Sequence, residues 1–368
     1  MPMYWRLKRW KTSDRQRAID RLLALRKFLA RSVPRRTAAE TLLLATWNLR
    51  DFDSNKFGHG PRLPESFHYI AEVIAAFDLV ALQEVNEDMR ALETVMDLLG
   101  PAWRYIATDV TEGPSGNNER MVFVFDSTKV QFKHIAGELV LPAASRIQGE
   151  HQFARSPFLV RFQSGWFKFY LGTVHLYYGE DSGAGYQRRV AEIDAVAKFL
   201  KKRADQDGQN YILLGDMNVV DPQDATMKAL KKHKFVLPAD LTLDNNALRW
   251  ASNMGGDKHY DQIAFLVRKG ELELGPSANN AGVLNYYDAV FTADEAETYF
   301  PLGKANKKWP DTPDKRKTYF TREWRSWQMS DHLPLFIELR IDFTERYLKR
   351  IREGEQPVAP PTPDAVDN

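Results

Sequence analysis

Cysteine is absent from all 368 residues. That excludes disulfides, thiolate metal sites and cysteine nucleophiles together, so any metal would be held by oxygen or imidazole. No stretch reaches the ~18 consecutive apolar residues that a membrane-spanning helix needs, and Pro2 to Arg6 carry no apolar signal core. A cytoplasmic enzyme is the expectation. No internal repeat is visible. What the chain does have is 43% hydrophobic and 12% aromatic residues, enough at this length for one large core or two modest ones.

Net charge is also scarce, only +2, but it is unevenly spread. Residues 1 to 40 hold 12 Arg or Lys against 3 Asp or Glu, a balance of +9, which leaves −7 for the remainder. An acidic body with a basic arm suggests that the arm meets a polyanion, unless its charges are only a solvated helix face. From Ser13 to Ala30, Ala18, Ile19, Leu22, Leu23, Leu25, Phe28 and Leu29 recur at three- and four-residue spacing, which predicts an amphipathic helix. Its apolar stripe suits packing on the body, with a membrane surface or a protein partner as alternatives. Ser32 to Arg36 reads as a linker.

Several apolar runs then read as buried strands, and polar groups gather at their ends. Tyr211 to Leu214 runs into Gly215-Asp216-Met217-Asn218, so Asp216 and Asn218 would face one site if the extended geometry continues; an aspartate capping the next helix is the alternative. Thr41 to Trp47 ends in Asn48, followed by Arg50 and Asp51. Asp78 to Val85 carries Glu84 near its end, where a buried carboxylate needs a salt bridge or a metal. Trp166 to Val174 ends in His175. Glu119-Arg120 opens an apolar strand through Asp126, Asp261 begins another that runs to Val267, and Asp331-His332 precede a last one. Helices are expected over Pro64 to Phe77, Met89 to Leu99, Gly183 to Arg203 and Gln223 to Lys232. Residues 137 to 156 have no clear period and read as a long loop; those after Arg352 turn Pro-rich and acidic, and 357 to 368 read as disordered.

TWN at Thr46 to Asn48, LQEV at Leu82 to Val85, TVH at Thr173 to His175, LLGDMN at Leu213 to Asn218, YDQI at Tyr260 to Ile263 and SDHLP at Ser330 to Pro334 follow one another in that order. Together they resemble the endonuclease/exonuclease/phosphatase superfamily, and Glu119-Arg120 before its strand is similar to the deoxyribonuclease I-like branch. The resemblance implies an α/β (α+β) fold, a four-layer α/β/β/α sandwich of two mixed sheets, over residues 41 to 342, with residues 1 to 40 as an N-terminal helix and linker and 343 to 368 as a C-terminal helix and tail. It implies roles as well. Glu84, Asn48 and Asp331 would hold a divalent cation, with Asn48 beside the phosphate. Asp216 and Asn218 would orient the attacking water and bind phosphate. His332, oriented by Asp261, and His175, paired with Glu119, would be the catalytic histidines; Arg120 reads as a phosphate ligand or a salt-bridge partner.

A phosphate ester needs an activated water, cations on its non-bridging oxygens and stabilisation of its leaving oxygen. Oxygen donors without thiolates suit Mg²⁺, with Mn²⁺ as a substitute. The expected enzyme is a Mg²⁺-dependent phosphodiesterase cutting DNA. A phosphatase or phosphodiesterase for a lipid or small phosphoester is the alternative, with residues 1 to 36 meeting a membrane surface or protein partner.

Overall fold

The computed structural model describes residues 2–111, 118–148, 151–238, 250–268, 270–303 and 308–354. The middle of the glycine-bearing loop expected at Thr111 to Asn118 and the expected disordered tail lie outside these residues. Among the described residues, eleven strands form two sheets. The first has the order β10-β11-β1-β2-β4-β3, built from β1 (Thr41–Phe52), β2 (Leu79–Asn86), β3 (Trp103–Ala107), β4 (Glu119–Asp126), β10 (Ala281–Val283) and β11 (Leu335–Arg340). The second, β5-β6-β7-β8-β9, comprises β5 (Gln131–Glu138), β6 (Phe158–Ser164), β7 (Phe167–His175), β8 (Asn210–Asp216) and β9 (Asp261–Leu266).

The layers follow from the two-residue period of the apolar strands. In β1, Leu42 and Leu44 enter the core between the sheets, whereas Leu43, Ala45, Trp47 and Leu49 enter the core beneath the helices. Ile212 and Leu214 of β8 likewise face the first sheet, and Tyr211 and Leu213 face the opposite helices. Strands apolar on both faces must be covered on both, which gives the sandwich its outer layers. α1 (Thr12–Ser32), α2 (Pro64–Ala75) and α3 (Arg90–Leu99) cover the first sheet; α4 (Gly183–Asp207) and α5 (Ala225–Lys232) cover the second. The chain is therefore a four-layer α/β/β/α sandwich.

The basic segment is built into this body. Leu7, Ala18, Leu22, Leu25, Phe28 and Leu29 are buried in the core shared with α2. Arg17 meets Glu65 at 2.5 Å, Arg21 meets Glu295 at 2.6 Å, Arg26 meets Glu72 at 3.1 Å and Arg36 meets Asp78 at 2.6 Å. All four carboxylates are buried. Much of the arm's positive charge is thus spent on the acidic body itself. No helix among the described residues is long and apolar enough to cross a membrane.

Candidate functional site

Strand direction gathers the polar residues at one end of both sheets. β1 and β2 are parallel, as are β7 and β8, so Asn48, Glu84, His175 and Asp216 arrive at strand ends side by side. β4, β9 and β11 run the other way, so the same edge receives their first residues: Glu119, Asp261 and, just before β11, Asp331 and His332. Asp261 stands apart from the end-of-strand pattern in the sequence, yet it pairs directly with Asp216 across the sheet.

At this edge the backbone leaves regular geometry. Arg50, Asp51, Glu84 and Asn218 have φ of 45°, 50°, 58° and 53°, a left-handed region costing side-chain-bearing residues about 1–3 kcal/mol each. Arg62, a buried guanidinium, holds the turn after Asn48 by donating to the carbonyls of Leu49 at 2.5 Å, Arg50 at 3.0 Å and Met329 at 3.2 Å. Gly215, at φ 130°, has no substitute, because a Cβ there would overlap the Val174 carbonyl of the neighbouring strand. Beyond it the strand does not continue: the Asn218 N–H donates to Asp216 Oδ1 at 2.9 Å, a turn that joins amide and carboxylate without extended spacing.

Asp216 is the centre. Its Oδ2 accepts from Asn48 Nδ2 at 3.0 Å and lies 3.6 Å from His175 Nε2 and 3.7 Å from His332 Nε2. Each imidazole is backed by its own carboxylate, His332 Nδ1 by Asp261 at 2.7 Å and His175 Nδ1 by Glu119 at 2.5 Å. Tyr260 stacks on His332 at 5.3 Å, fixing the ring plane. The environments drive the two histidines apart. Burial works against charge on His332, but Asp261 and Asp216 outweigh it and hold its pKa well above the ordinary value. Burial, with Arg155 nearby, lowers His175 to about 4. Burial also raises Glu119 to about 7, opposed by Arg155. Above that pH the pair is a carboxylate 2.5 Å from a neutral imidazole, and a proton held at Nδ1, on the side of the carboxylate, leaves Nε2 as an acceptor in the cleft.

Glu84 accepts from Asn48 Nδ2 at 2.8 Å and from the Asp51 N–H at 2.7 Å. Burial first, then the neighbouring Glu119 and Asp331 charges, raise its pKa. Asp51 Oδ2 is buried without a protein partner. Crowded hard oxygens of one sign, one of them unsatisfied, fit a divalent cation at Glu84, with Asp331 and Asp51 as neighbours. Glu84, Glu119 and His175 also present ligand atoms within 4.8 Å of one another. There, however, the Glu119 Oε1 that faces His175 is already taken by Arg155, so the arrangement serves the histidine better than an ion. Asn48 donates through its amide N–H₂ to Glu84 and Asp216 and accepts at Oδ1 from the Arg50 N–H at 2.9 Å, orienting both carboxylates.

Asn48, Glu84, Glu119, His175, Asp216, Asn218, Asp261 and His332 are therefore brought together, and Asp331 lies beside them against Arg50 Nε at 3.5 Å. Arg120 is turned elsewhere, donating to the Thr108 carbonyl at 2.8 Å. The arginine of the site is Arg155, from the segment without a sequence period, which contacts Glu119 and the His175 carbonyl. Thr46, Gln83 and Thr173 were given no role by the sequence, yet all are buried. Gln83 Nε2 donates to both threonine hydroxyls, at 3.1 and 2.8 Å, fastening the two sheets beneath the site. Ser330 Oγ donates to the Asn48 carbonyl at 2.7 Å, and Trp47 Nε1 and Tyr286 Oη each donate to the His332 carbonyl at 3.0 Å. The capping alternative for Asp216 falls to Asp224, whose side chain caps α5.

The family model described as the Endonuclease/Exonuclease/phosphatase family matches residues 45–325. Among solved structures the chain is similar to a functionally unknown conserved protein from Enterococcus faecalis, at 15% identity over 81% of this chain and 99% of that one, with a TM-score of 0.52. It is similar to the human Nocturnin catalytic domain with bound sulfate anion, at 12% identity over 81% and 94%, TM-score 0.51. It is also similar to an endonuclease/exonuclease/phosphatase from Bacteroides vulgatus, at 12% identity over 82% and 99%, TM-score 0.50. At these identities the likeness is one of fold. No curated protein matches the chain.

Proposed function

Since this chain belongs to the endonuclease/exonuclease/phosphatase family, a family of hydrolytic phosphoesterases, we propose that it cleaves phosphodiester bonds in DNA by in-line attack of an activated water. The observation that carries this reading is the pair of carboxylate-backed imidazoles on either side of Asp216, with opposite protonation preferences. A diester needs both a proton acceptor for the water and a charged donor near the departing alkoxide, and pKa values pushed apart assign those tasks. Asp216 Oδ2 and the neutral His175 Nε2 accept from the water. His332, kept protonated by Asp261, faces the phosphoryl oxygens or the leaving oxygen. Asn48 and Asn218 hold Asp216 in place. Glu84 and Asp331 would hold the divalent cation, Mg²⁺ with Mn²⁺ as a substitute, whose chemistry when bound is to neutralise charge on the non-bridging oxygens. The test is turnover of plasmid and oligonucleotide DNA against inositol phosphates and lipid phosphoesters, with Mg²⁺ and after chelation. DNA cleavage abolished by chelation supports the reading; turnover of the small or lipid esters with DNA left intact overturns it.

One observation favours a second reading, a lipid or small phosphoester handled at a membrane surface. Tyr4, Leu7, Ile19, Leu22 and Leu23 line an apolar groove edged by Lys8, Arg15 and Arg26, and Trp5 and Leu23 are exposed beside it. Cosedimentation with anionic vesicles, abolished by Leu23→Glu, would support it.

A further inference from the structure

After Phe52 the chain leaves the first sheet in a loop. Asn55 fastens it, its carbonyl accepting from the Gly58 N–H and its Oδ1 from the Gly60 N–H, both at 2.9 Å. Gly58 and Gly60 have φ of 70° and 88°, which the turn requires. Lys56 Nζ reaches Asp51 Oδ1 at 3.0 Å, which sets the loop against the acidic site. Behind the loop lies a stack of planar groups. The Arg50 guanidinium sits 3.9 Å from the Trp327 ring centroid, His59 stacks on Trp327 at 4.7 Å and 9°, and Tyr319 stacks on His59 at 6.0 Å. The first member of this stack, Arg50, touches Asp331. Phe57 leans on Trp327 at 5.0 Å and is still 51% exposed. Lys308 contacts both the Phe57 carbonyl and His59 Nε2. Burial, then Lys308 and Arg50, lower His59 to about 4, so this layer is an uncharged ring at neutral pH and the positive charge sits on the lysines and Arg50.

We propose that this loop and Trp327 form a stacking subsite for an unpaired nucleobase next to the scissile phosphate, with Phe57 as its exposed face. The proposal rests on the reading of the enzyme as a DNA phosphodiesterase. A cluster made only to support the loop would bury Phe57, the loop's own apolar ring, as it buries Trp327. Here the ring is backed by Trp327 and flanked by the Lys56 ammonium 5.1 Å from its centroid, yet it stays half-exposed, and the loop beneath it is tied down, so a base can stack without ordering the platform first. Cations interleaved with an exposed aromatic are the pattern that tracks a single strand, its bases on the ring and its phosphates on the lysines. A base in a duplex has both faces covered and cannot use the ring, so the subsite selects single-stranded or frayed DNA over intact duplex.

The test is a chemical cycle on the full-length protein with Mg²⁺, using a short fluorescein-labelled single-stranded oligonucleotide whose cut sites have been mapped. Phe57→Ala should raise KM by roughly 5- to 150-fold, the range for losing one base–aromatic stack, and Phe57→Trp should restore it. Substrates with an abasic residue on either side of the cut should show the parent losing a similar factor for one of the two, whereas Phe57→Ala loses little more. Its preference for single-stranded over duplex DNA should also shrink. A KM for Phe57→Ala equal to the parent's, or losses from the variant and the abasic residue that multiply, overturns the subsite while leaving DNA cleavage standing. A parent that turns over other phosphoesters and leaves every DNA intact overturns the proposed function and the subsite with it.

Discussion

Arg17→Ala tests whether the basic segment is a clamp or a detachable arm. Arg17 donates to Glu65 through Nε at 2.9 Å and Nη2 at 2.5 Å, and its guanidinium lies 5.5 Å from the Tyr299 ring. Glu65 is 1% exposed, so water cannot replace the lost partner. Breaking a buried pair at one end costs about 3–5 kcal/mol, most of it the stranded charge, whereas an exposed pair contributes at most about 1 kcal/mol. Unfolding entropy of ~2.1 cal/mol/K per residue amounts to about 0.8 kcal/mol/K for this chain, so Tm should fall by about 4–6 °C. Arg17→Met combined with Glu65→Leu, which strands no charge, should recover most of that loss. Calorimetry on the parent, the single variant and the double variant decides the matter. A fall near 1 °C for Arg17→Ala, or a double variant no better than the single, would refute the clamp. Removing residues 1 to 36 strips partners from Glu65, Glu72, Asp78 and Glu295 at once and should leave no cooperatively folded protein. A deletion variant with the parent's Tm would return the segment to the role of a separate binding arm.

Asp216→Ala and His332→Ala should each reduce kcat on DNA by at least ~10² with Tm nearly kept, and near-parental turnover in either would remove it from the mechanism. Glu84→Ala should raise the Mg²⁺ concentration needed for half-maximal activity; an unchanged Mg²⁺ titration would show that Glu84 holds no cation. kcat/KM should rise with pH through about 7 as Glu119 ionises and frees His175 Nε2 to accept, and should fall only well above the ordinary histidine range, as His332 loses its proton. Both limbs belong to the coupled cluster. Arg155→Met removes the cation that favours ionised Glu119 and should move the lower limb to higher pH; a limb that stays in place assigns it to another group.

The inner strands of the two central layers were legible because being apolar on both faces leaves few other structures, whereas β10 was not, and the chemistry was legible because carboxylates, amides and imidazoles fell at the inner strands' ends. Strand direction was not legible. The sequence shows Asp261 at a strand's beginning and Asp216 at a strand's end, and only antiparallel pairing makes those one place. Charge was legible as a total but not as a set of partners. The +9 of residues 1 to 40 suggested a polyanion outside the protein, yet Arg17, Arg21, Arg26 and Arg36 found theirs inside it. Arg155 gave no signal, being one of two arginines in an aperiodic segment, and Arg120, placed in the site by its neighbour Glu119, points to the other face of its strand, as alternation requires.

What the motifs left open follows from where each kind of residue gets its constraints. The groups that the proposed mechanism uses sit on strand ends, where the backbone dictates neighbours a few residues apart, and local pattern therefore carries them. The groups that would choose among DNA, a lipid headgroup and a small ester sit on loops, where the neighbours are distant in sequence. Lys308 and His59 meet across 249 positions, and Phe57 finds its backing in Trp327, on a helix whose last turns pass through a π segment at Phe320–Trp324. That interruption breaks the 3.6-residue period from which the sequence might have announced the helix, and the residues from 268 to 329 yielded no element to sequence reasoning. A family resemblance carried by the strand ends thus specifies phosphoester hydrolysis, and the proposed subsite places the choice of substrate on the loop that carries Phe57.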